Sequence, residues 1–499
     1  MRPALGAGAA AMVVALGAQA ETWHVSPSVA VRETFSDNFL LATGDAARSG
    51  WYTDVVPGLR AEVMGARLRG FADLRLDAKR YAGDSRLDEN RRFLESQGTF
   101  EAVENRVFLD ARAYITQENL SAFGAASTPD QPSASGNQVE TSVLRISPWI
   151  RGKVPDVANY HVRYDAAGIR ADDPALADTR TGEWIARIAS ASPSARLGWA
   201  LYGSALDVRN DEVGHIVDRR VRGRLAFAVT PQLRLSVLGG VEETDFAGPP
   251  RTRTDTPGAG IAWTPGDRTQ LAGVVERRFF GNGHSVFFSH RTARLAFRLA
   301  SVRDAAVFPG ARSAGESPAR ALMADLLAST VEDPEERARE ARRRLEESGI
   351  APFSSLGSSS LTSSPVVFRV DEASAAMVGA RNTVTVTAMR REQRTIGAPA
   401  GAAPAAPDDD FRRRGIDANW AYRLTPVTTV TLTATALRTV GQGAVEARSD
   451  EDRIGLVVSS RLGPKTLATM GVRHSTFDTL AGTGSYRESA AYASFSVRF

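Results

Sequence analysis

The sequence predicts an all-β fold: a large antiparallel transmembrane β-barrel of about 20–22 strands with a short α-helical insert. Three observations carry that expectation. Segment after segment alternates apolar and charged residues with period two. The connections alternate between tight turns and long polar loops. The chain opens like that of an exported protein.

The leader comes first. Arg2 supplies a short positive region, Ala9–Leu16 an apolar stretch, and Ala18-Gln19-Ala20 an A-x-A cleavage site before Glu21. The apolar run is too short for a membrane helix, which takes about 20 residues. No later segment is long and apolar enough either. The mature chain is then a secreted soluble protein or a membrane barrel.

Composition narrows this further. The 499 residues include no cysteine, which excludes a lipoprotein anchor, a disulfide frame and a thiolate metal site. The formal charge is only +4, and lysine occurs only at 79, 153 and 465. No basic block carries the interleaved aromatics of a nucleic-acid-binding arm.

The alternation decides for a barrel. In 67–81, Leu68, Gly70, Ala72, Leu74, Leu76 and Ala78 fall on one face, and Arg69, Asp73, Arg75, Asp77 and Lys79 on the other. In 106–116, Val107, Leu109, Ala111, Ala113 and Ile115 oppose Arg106, Asp110 and Arg112. In 220–229, Val221, Gly223, Leu225, Phe227 and Val229 oppose Arg220, Arg222 and Arg224. The apolar faces are modest and rich in Ala and Gly, while the opposite faces are densely charged. A lipid-facing band around a wet lumen requires that arrangement, and a soluble sandwich does not. Tight turns are expected at Gly65-Ala66, Glu104-Asn105, Pro193-Ser194, Thr230-Pro231, Thr264–Asp267, Ala380–Asn382, Thr425-Pro426 and Gly463-Pro464. The last strand ends on Phe495, Val497 and Phe499, an alternating aromatic terminus suited to recognition by barrel-assembly machinery.

One region breaks the pattern. Residues 301–365 read as non-strand. Ser317-Pro318 caps a helix through Thr330, and Asp333-Pro334 caps a second, charged and solvated helix to about Ser348. A Ser-rich tether, Ser354–Ser364, follows. The expected organisation is a leader at 1–20, a first part of the barrel at 21–300, the insert at 301–365 and the rest of the barrel at 366–499. Counting alternating segments puts about fourteen strands before the insert and about seven after it. A closed barrel with both ends on one side needs an even total. Either one strand is missed, or the insert crosses the lumen as a plug.

The search for chemistry returns little. His284 and His290 could share a strand face, but no ligand set converges on them. No Gly-x-Ser-x-Gly elbow is present. No catalytic residue, metal or cofactor is expected. The best lead is the charge of the lumen: Arg220, Arg222, Arg224 and Arg234 on one wall, with Arg69, Asp73, Arg75, Asp77, Lys79, Glu101, Asp110 and Arg112 elsewhere. Such charges either select ions or pair with one another and fill the interior.

At Glu33–Leu41 (ETFSDNFLL) the sequence resembles outer-membrane β-barrel proteins associated with the PEP-CTERM/exosortase system. Pro57-Gly58, Asp333-Pro334-Glu335-Glu336-Arg337 and Gly379-Ala380-Arg381-Asn382-Thr383 match the same family. The resemblance implies a non-enzymatic barrel in the outer membrane of a Gram-negative bacterium, linked to exopolysaccharide export or assembly. The implied partners are outer-membrane lipid, an anionic polysaccharide and export-complex proteins. A general diffusion porin and an outer-membrane lipid- or polymer-modifying enzyme are the alternatives.

Overall fold

A computed structural model describes residues 21–125, 131, 136–173, 177–192, 196–210, 214–248, 250–307, 318–328, 331, 333–347, 362, 364–397, 410–443, 446–480 and 484–499. The leader, Ser317, most of the Ser-rich tether and the Pro193-Ser194 turn lie outside the described residues. The first strands are β1 (Thr22–Ser36), β2 (Gly50–Met64), β3 (Leu68–Tyr81), β4 (Glu89–Val103), β5 (Val107–Asn119), β6 (Gln138–Val154) and β7 (Ala158–Ala171). Then come β8 (Thr179–Ser190), β9 (Leu197–Asn210), β10 (Gly214–Ala228) and β11 (Leu233–Thr244). β12 is interrupted: Thr252–Asp255 and Gly258–Gly266 both pair with β11, on either side of Pro257, which has no N–H to give a ladder. β13 (Thr269–Arg278), β14 (Gly281–Arg291) and β15 (Leu295–Ala306) lead to helices α1 (Pro318–Leu327) and α2 (Pro334–Glu347). β16 (Val366–Val378), β17 (Asn382–Thr395), β18 (Phe411–Arg423), β19 (Thr428–Gly441), β20 (Arg448–Gly463), β21 (Thr466–Thr479) and β22 (Tyr486–Arg498) complete the chain.

Every neighbour pairs antiparallel, and β1 pairs with β22 as well as β2, so the sheet closes as a 22-stranded barrel. Closure leaves no edge strand unpaired. Fifteen strands precede the insert and seven follow it, one more in front than the alternation alone counted, and parity is satisfied without a crossing. Two boundaries differ from expectation. β15 runs on through 301–306, where Ser301, Arg303 and Ala305 face out above the apolar belt and so carry no apolar alternation. Thr264, Pro265 and Gly266 belong to β12, with a register shift between Trp263 and Gly266, and Asp267-Arg268 makes the turn.

The pleat separates two environments. Outward side chains form a belt that includes Leu74, Leu76, Val221, Leu225, Val237, Ile416 and Met470, all large, apolar and exposed. Burying such a face needs lipid, since water penalises it at roughly 25 cal/mol per Å². No described helix is long and apolar enough to cross a membrane; the strands do so. Inward side chains form cross-strand charge rows, for example Arg32–Asp54–Lys79–Glu89 and Arg60–Asp73–Glu95. One end carries tight turns, with Asn105 and Asp156 at positive φ (55° and 57°), which short polar side chains tolerate. The other end carries the long loops. That polarity is the outer-membrane pattern, tight turns inside the cell envelope and long loops outside.

The insert leaves and returns at the long-loop end, where Ala306 and Val366 are register partners. Its helices nevertheless lie at the opposite end of the lumen. Met323 and Leu327 pack with Ala341 and Leu345 between the two helices and against Ala421 and Val378. Leu322 and Leu326 pack on Ala296 and Ala376. These wall residues adjoin the tight turns at 292–294, 379–381 and 424–427. The expectation that the second helix is simply solvated is corrected: Ala341 and Leu345 are buried, and Arg342 lies 5.0 Å over the Phe71 ring on the far wall.

Candidate functional site in the barrel lumen

The described lumen is built from three parts: charged walls, the seated helices and inward-folded loops. On β2–β5 the predicted residues are drawn into ion pairs. Lys79 is fully buried against Asp54. Asp77 pairs with Arg91 at 3.0 Å, and Asp73 accepts from Arg75 at 3.0 Å and from Arg60 at 3.5 Å. Asp110 takes Arg163 of β7 at 2.6 Å, and Arg69 donates to the Gly65 carbonyl at 3.4 Å. Glu101 lies on the same face, beside Phe108 in register.

A second network spans β10–β15. Arg220 meets Asp218 at 3.0 Å and Glu242 at 3.8 Å, and Arg222 forks onto Glu276 at 2.6 and 2.8 Å. Arg278, almost wholly buried, joins Glu242 at 2.7 Å to Asp304 at 2.8 Å. A buried guanidinium is tolerated only with such partners. Arg234 lies in register with Ala228 and Ala262 on the same wall. Arg112 and Arg224 differ. Each has a buried Nε with no hydrogen-bond acceptor, and neither is ion-paired among the described residues. Arg145 stands beside Arg112 in register. This wall between β5 and β10 therefore carries positive charge left over after pairing.

The helices bridge the lumen. Arg320 and Arg342 approach Glu95 of β4 at 3.8 and 3.6 Å, and Arg339 reaches the Met64 sulfur at 2.8 Å. On the other side Asp325 is held by Arg298 of β15 at 3.2 Å. At the long-loop end, the segment after β5 folds inward. Phe123 is buried with Phe411 and Ala447, and Arg413 donates to the Ala122 carbonyl at 2.8 Å. Gln131 donates to Ser475 at 3.1 Å while its carbonyl accepts from Arg91. Gly397, at φ +61°, abuts the backbone of Ala247, so loops from separate arcs of the rim touch there.

Sequence reasoning missed Glu242, Glu276, Arg278 and the buried Arg391 and Arg413. Arg278, Arg391 and Arg413 sit in runs of consecutive arginines, where composition does not say which one faces inward. Their strand parity with Glu276 or Thr387 was the available signal.

The histidines are not isolated. On the outer face, His284 Nε2 lies 2.8 Å from Ser301 Oγ, which donates to Asp371 at 2.6 Å. Here the serine stands between histidine and carboxylate, and Asp371 is already held by Arg369 at 2.8 Å. A nucleophilic serine needs the histidine in the middle to take its proton, so this chain ties strands together and activates nothing. His284 and His290 do share the outer face, His290 bonding Thr269 at 2.8 Å. Among the described residues no group of His, Asp and Glu converges on a metal-sized site. Of the acidic run 408–410 only Asp410 is described, and it accepts the Thr395 amide at 2.6 Å. Phe495 and Phe499 are exposed at the outer face of β22.

No family model and no curated protein matches the chain in sequence. Solved structures do match in fold. The FrpB iron transporter from Neisseria meningitidis, F5-1 variant in apoprotein form, superposes with a TM-score of 0.51 at 9% identity, over 95% of this chain and 81% of that one. Its F3-3 variant gives 0.50 at 9% identity, over 95% and 81%. The siderophore receptor PirA from Pseudomonas aeruginosa gives 0.44 at 9% identity, over 96% and 81%. The likeness to FrpB is one of fold.

Proposed function

We propose that this chain is a non-enzymatic conduit in the outer membrane of a Gram-negative bacterium, plugged by its helical insert, whose cargo is an anionic chain of the exopolysaccharide class. One observation carries the reading: the helices sit inside the lumen and touch opposite walls, and an arginine-bearing arc lines the wall between β5 and β10. A body seated on one wall and tied to the other by ion pairs blocks passage until it moves. The arc around Arg112, Arg145 and Arg224 favours anions, since unpaired positive charge in a low-dielectric channel concentrates them. The exosortase link rests on the family-like segments, and recognition by assembly machinery on Phe495, Val497 and Phe499. Transporters among the fold neighbours agree with a passage rather than a catalyst.

The test is conductance in planar bilayers. Because Ala306 and Val366 are register partners, residues 308–361 can be replaced by a short Gly-Ser linker. The full chain is expected to be nearly silent, and the deletion to give large, anion-preferring steps. Steady large conductance from the full chain would describe a general diffusion porin instead. A polysaccharide-synthesis cluster flanking the gene is expected under the cargo assignment.

A further inference from the structure

The outer surface holds a feature that conduction does not use. Across β8–β12 one row of outward residues runs Trp184, Ala205, Arg219, Glu243, Arg253, each the register partner of the next. The row nearer the tight turns runs Ala186, Gly203, Val221, Val241 and ends on Asp255 beyond the furrow. The next includes Gly223 and Gly239. Small residues at Ala186, Gly203 and Ala205 hollow the surface into a furrow of about 430 Å³ walled by Val162, Trp184, Val221 and Val241. Arg219, Glu243 and Arg253 stand along its upper edge.

The furrow lies at a border. Further toward the long loops the outward positions include the polar Asp207 and His215, 2.6 Å apart. Below it they are Leu225 and Val237, in the apolar belt. Trp184, 56% exposed, marks the membrane–water interface, where indole rings settle.

Charge adds to this. Several outer arginines toward the long-loop end are neutralised: Arg369 by Asp371 at 2.8 Å, Arg412 by Glu392 at 2.7 Å, Arg438 and Arg448 by Asp450 at 2.5 and 2.6 Å. Arg219 and Arg253 are exposed and have no ion-pair partner among the described residues, while Glu243 is drawn toward Arg251 at 3.9 Å. Two guanidiniums above an apolar furrow at an interface match a phosphate group joined to an acyl chain. Each can fork onto phosphate oxygens.

We infer that this furrow binds a phosphate-bearing lipid of the outer leaflet, its chain along Ala186, Gly203 and Val241 and its phosphate on the guanidiniums of Arg219 and Arg253 at the upper edge, with Glu243 turned aside toward Arg251. The inference uses the outer-membrane reading only to name the leaflet; it stands whether or not the lumen conducts.

The test is native mass spectrometry of the detergent-purified full chain offered diphosphoryl lipid A or enzymatically dephosphorylated lipid A. The wild type is expected to retain the diphosphoryl form about tenfold better. Arg219→Gln with Arg253→Gln abolishes that preference. Gly203→Leu reduces retention of both forms, because a Cβ there meets nothing within 4 Å and the side chain fills the furrow without strain. Arg438→Gln with Arg448→Gln leaves the preference intact. Heat-modifiable mobility on gels confirms that each variant folds. Equal retention of the two lipids by the wild type, or an undiminished preference in the Arg219/Arg253 variant, overturns the proposal.

Discussion

The helices meet two walls of the lumen in opposite ways. On β15–β18 the wall is made of small residues, and Ala296, Ala376 and Ala421 let Leu322, Met323 and Leu327 pack directly on the sheet. Thr385, Thr387 and Thr431 are buried on the same side. On β2–β4 the wall is polar and lined by longer side chains, and among the described residues Arg320, Arg339 and Arg342 reach it by their tips. The first contact is a seat held mainly by dispersion and burial, which salt leaves alone, with the Arg298–Asp325 pair beside it. The second is a latch held by charge, which salt screens. Under the proposed plug reading, the insert would open by releasing the latch and pivoting on the seat.

That contrast can be broken from either side. The largest effect is expected from the latch-side wall itself. Lys79→Met strands the buried Asp54 carboxylate, costing about 3–5 kcal/mol, and should lower the temperature of the gel-mobility shift. Adding Asp54→Asn should recover most of it, and failure to recover would mean that the pair is not the reason for the loss.

Next comes the seat. Leu322 is completely buried, and Leu322→Ala should cost the helices about 3 kcal/mol of packing. The measurement is proteolysis of the insert in the folded barrel, with conductance rising toward that of the deletion. A silent, protease-resistant variant would show that the seat does not hold the plug.

The latch is weaker. Glu95 is a quarter exposed at its side chain, so Glu95→Gln should cost about 1 kcal/mol. Brief openings should become more frequent at low salt, and the wild type should approach that behaviour at about 1 M salt, where the Debye length is about 3 Å. Openings independent of salt in both proteins would remove the latch.

The smallest stability effect is expected at Arg112. Its Nε is buried without an acceptor, so Arg112→Gln should leave stability unchanged or slightly raised. The reversal potential of the insert-deleted barrel should shift toward less anion preference. An unchanged potential would detach Arg112 from selectivity.

Much of this was legible in the residues. Leu74 and Leu76 against Asp77 and Lys79 announce an apolar outside and a charged inside, because strand side chains alternate. Asp333-Pro334 marks a helix start, and Arg337 N bonds the Asp333 carbonyl there at 2.9 Å. The continuation of β15 through Ser301–Ala306 was not legible, since its outward positions lack the apolar signature. Nor was the partner of Arg278, since Glu242 lies two strands away on β11.

The sequence by itself determined the strands, their two faces and the place of the helical interruption, because these depend on neighbours along the chain. The tertiary structure decided the number that closes the barrel, the partners of each lumenal charge and the descent of the helices to the far end of the lumen. Those depend on contacts between residues hundreds of positions apart, such as Arg342 with Glu95, and on which small side chains leave room. The furrow beneath Arg219 and Arg253 belongs to the same class, since it exists only where four strands bring their alanines and glycines side by side.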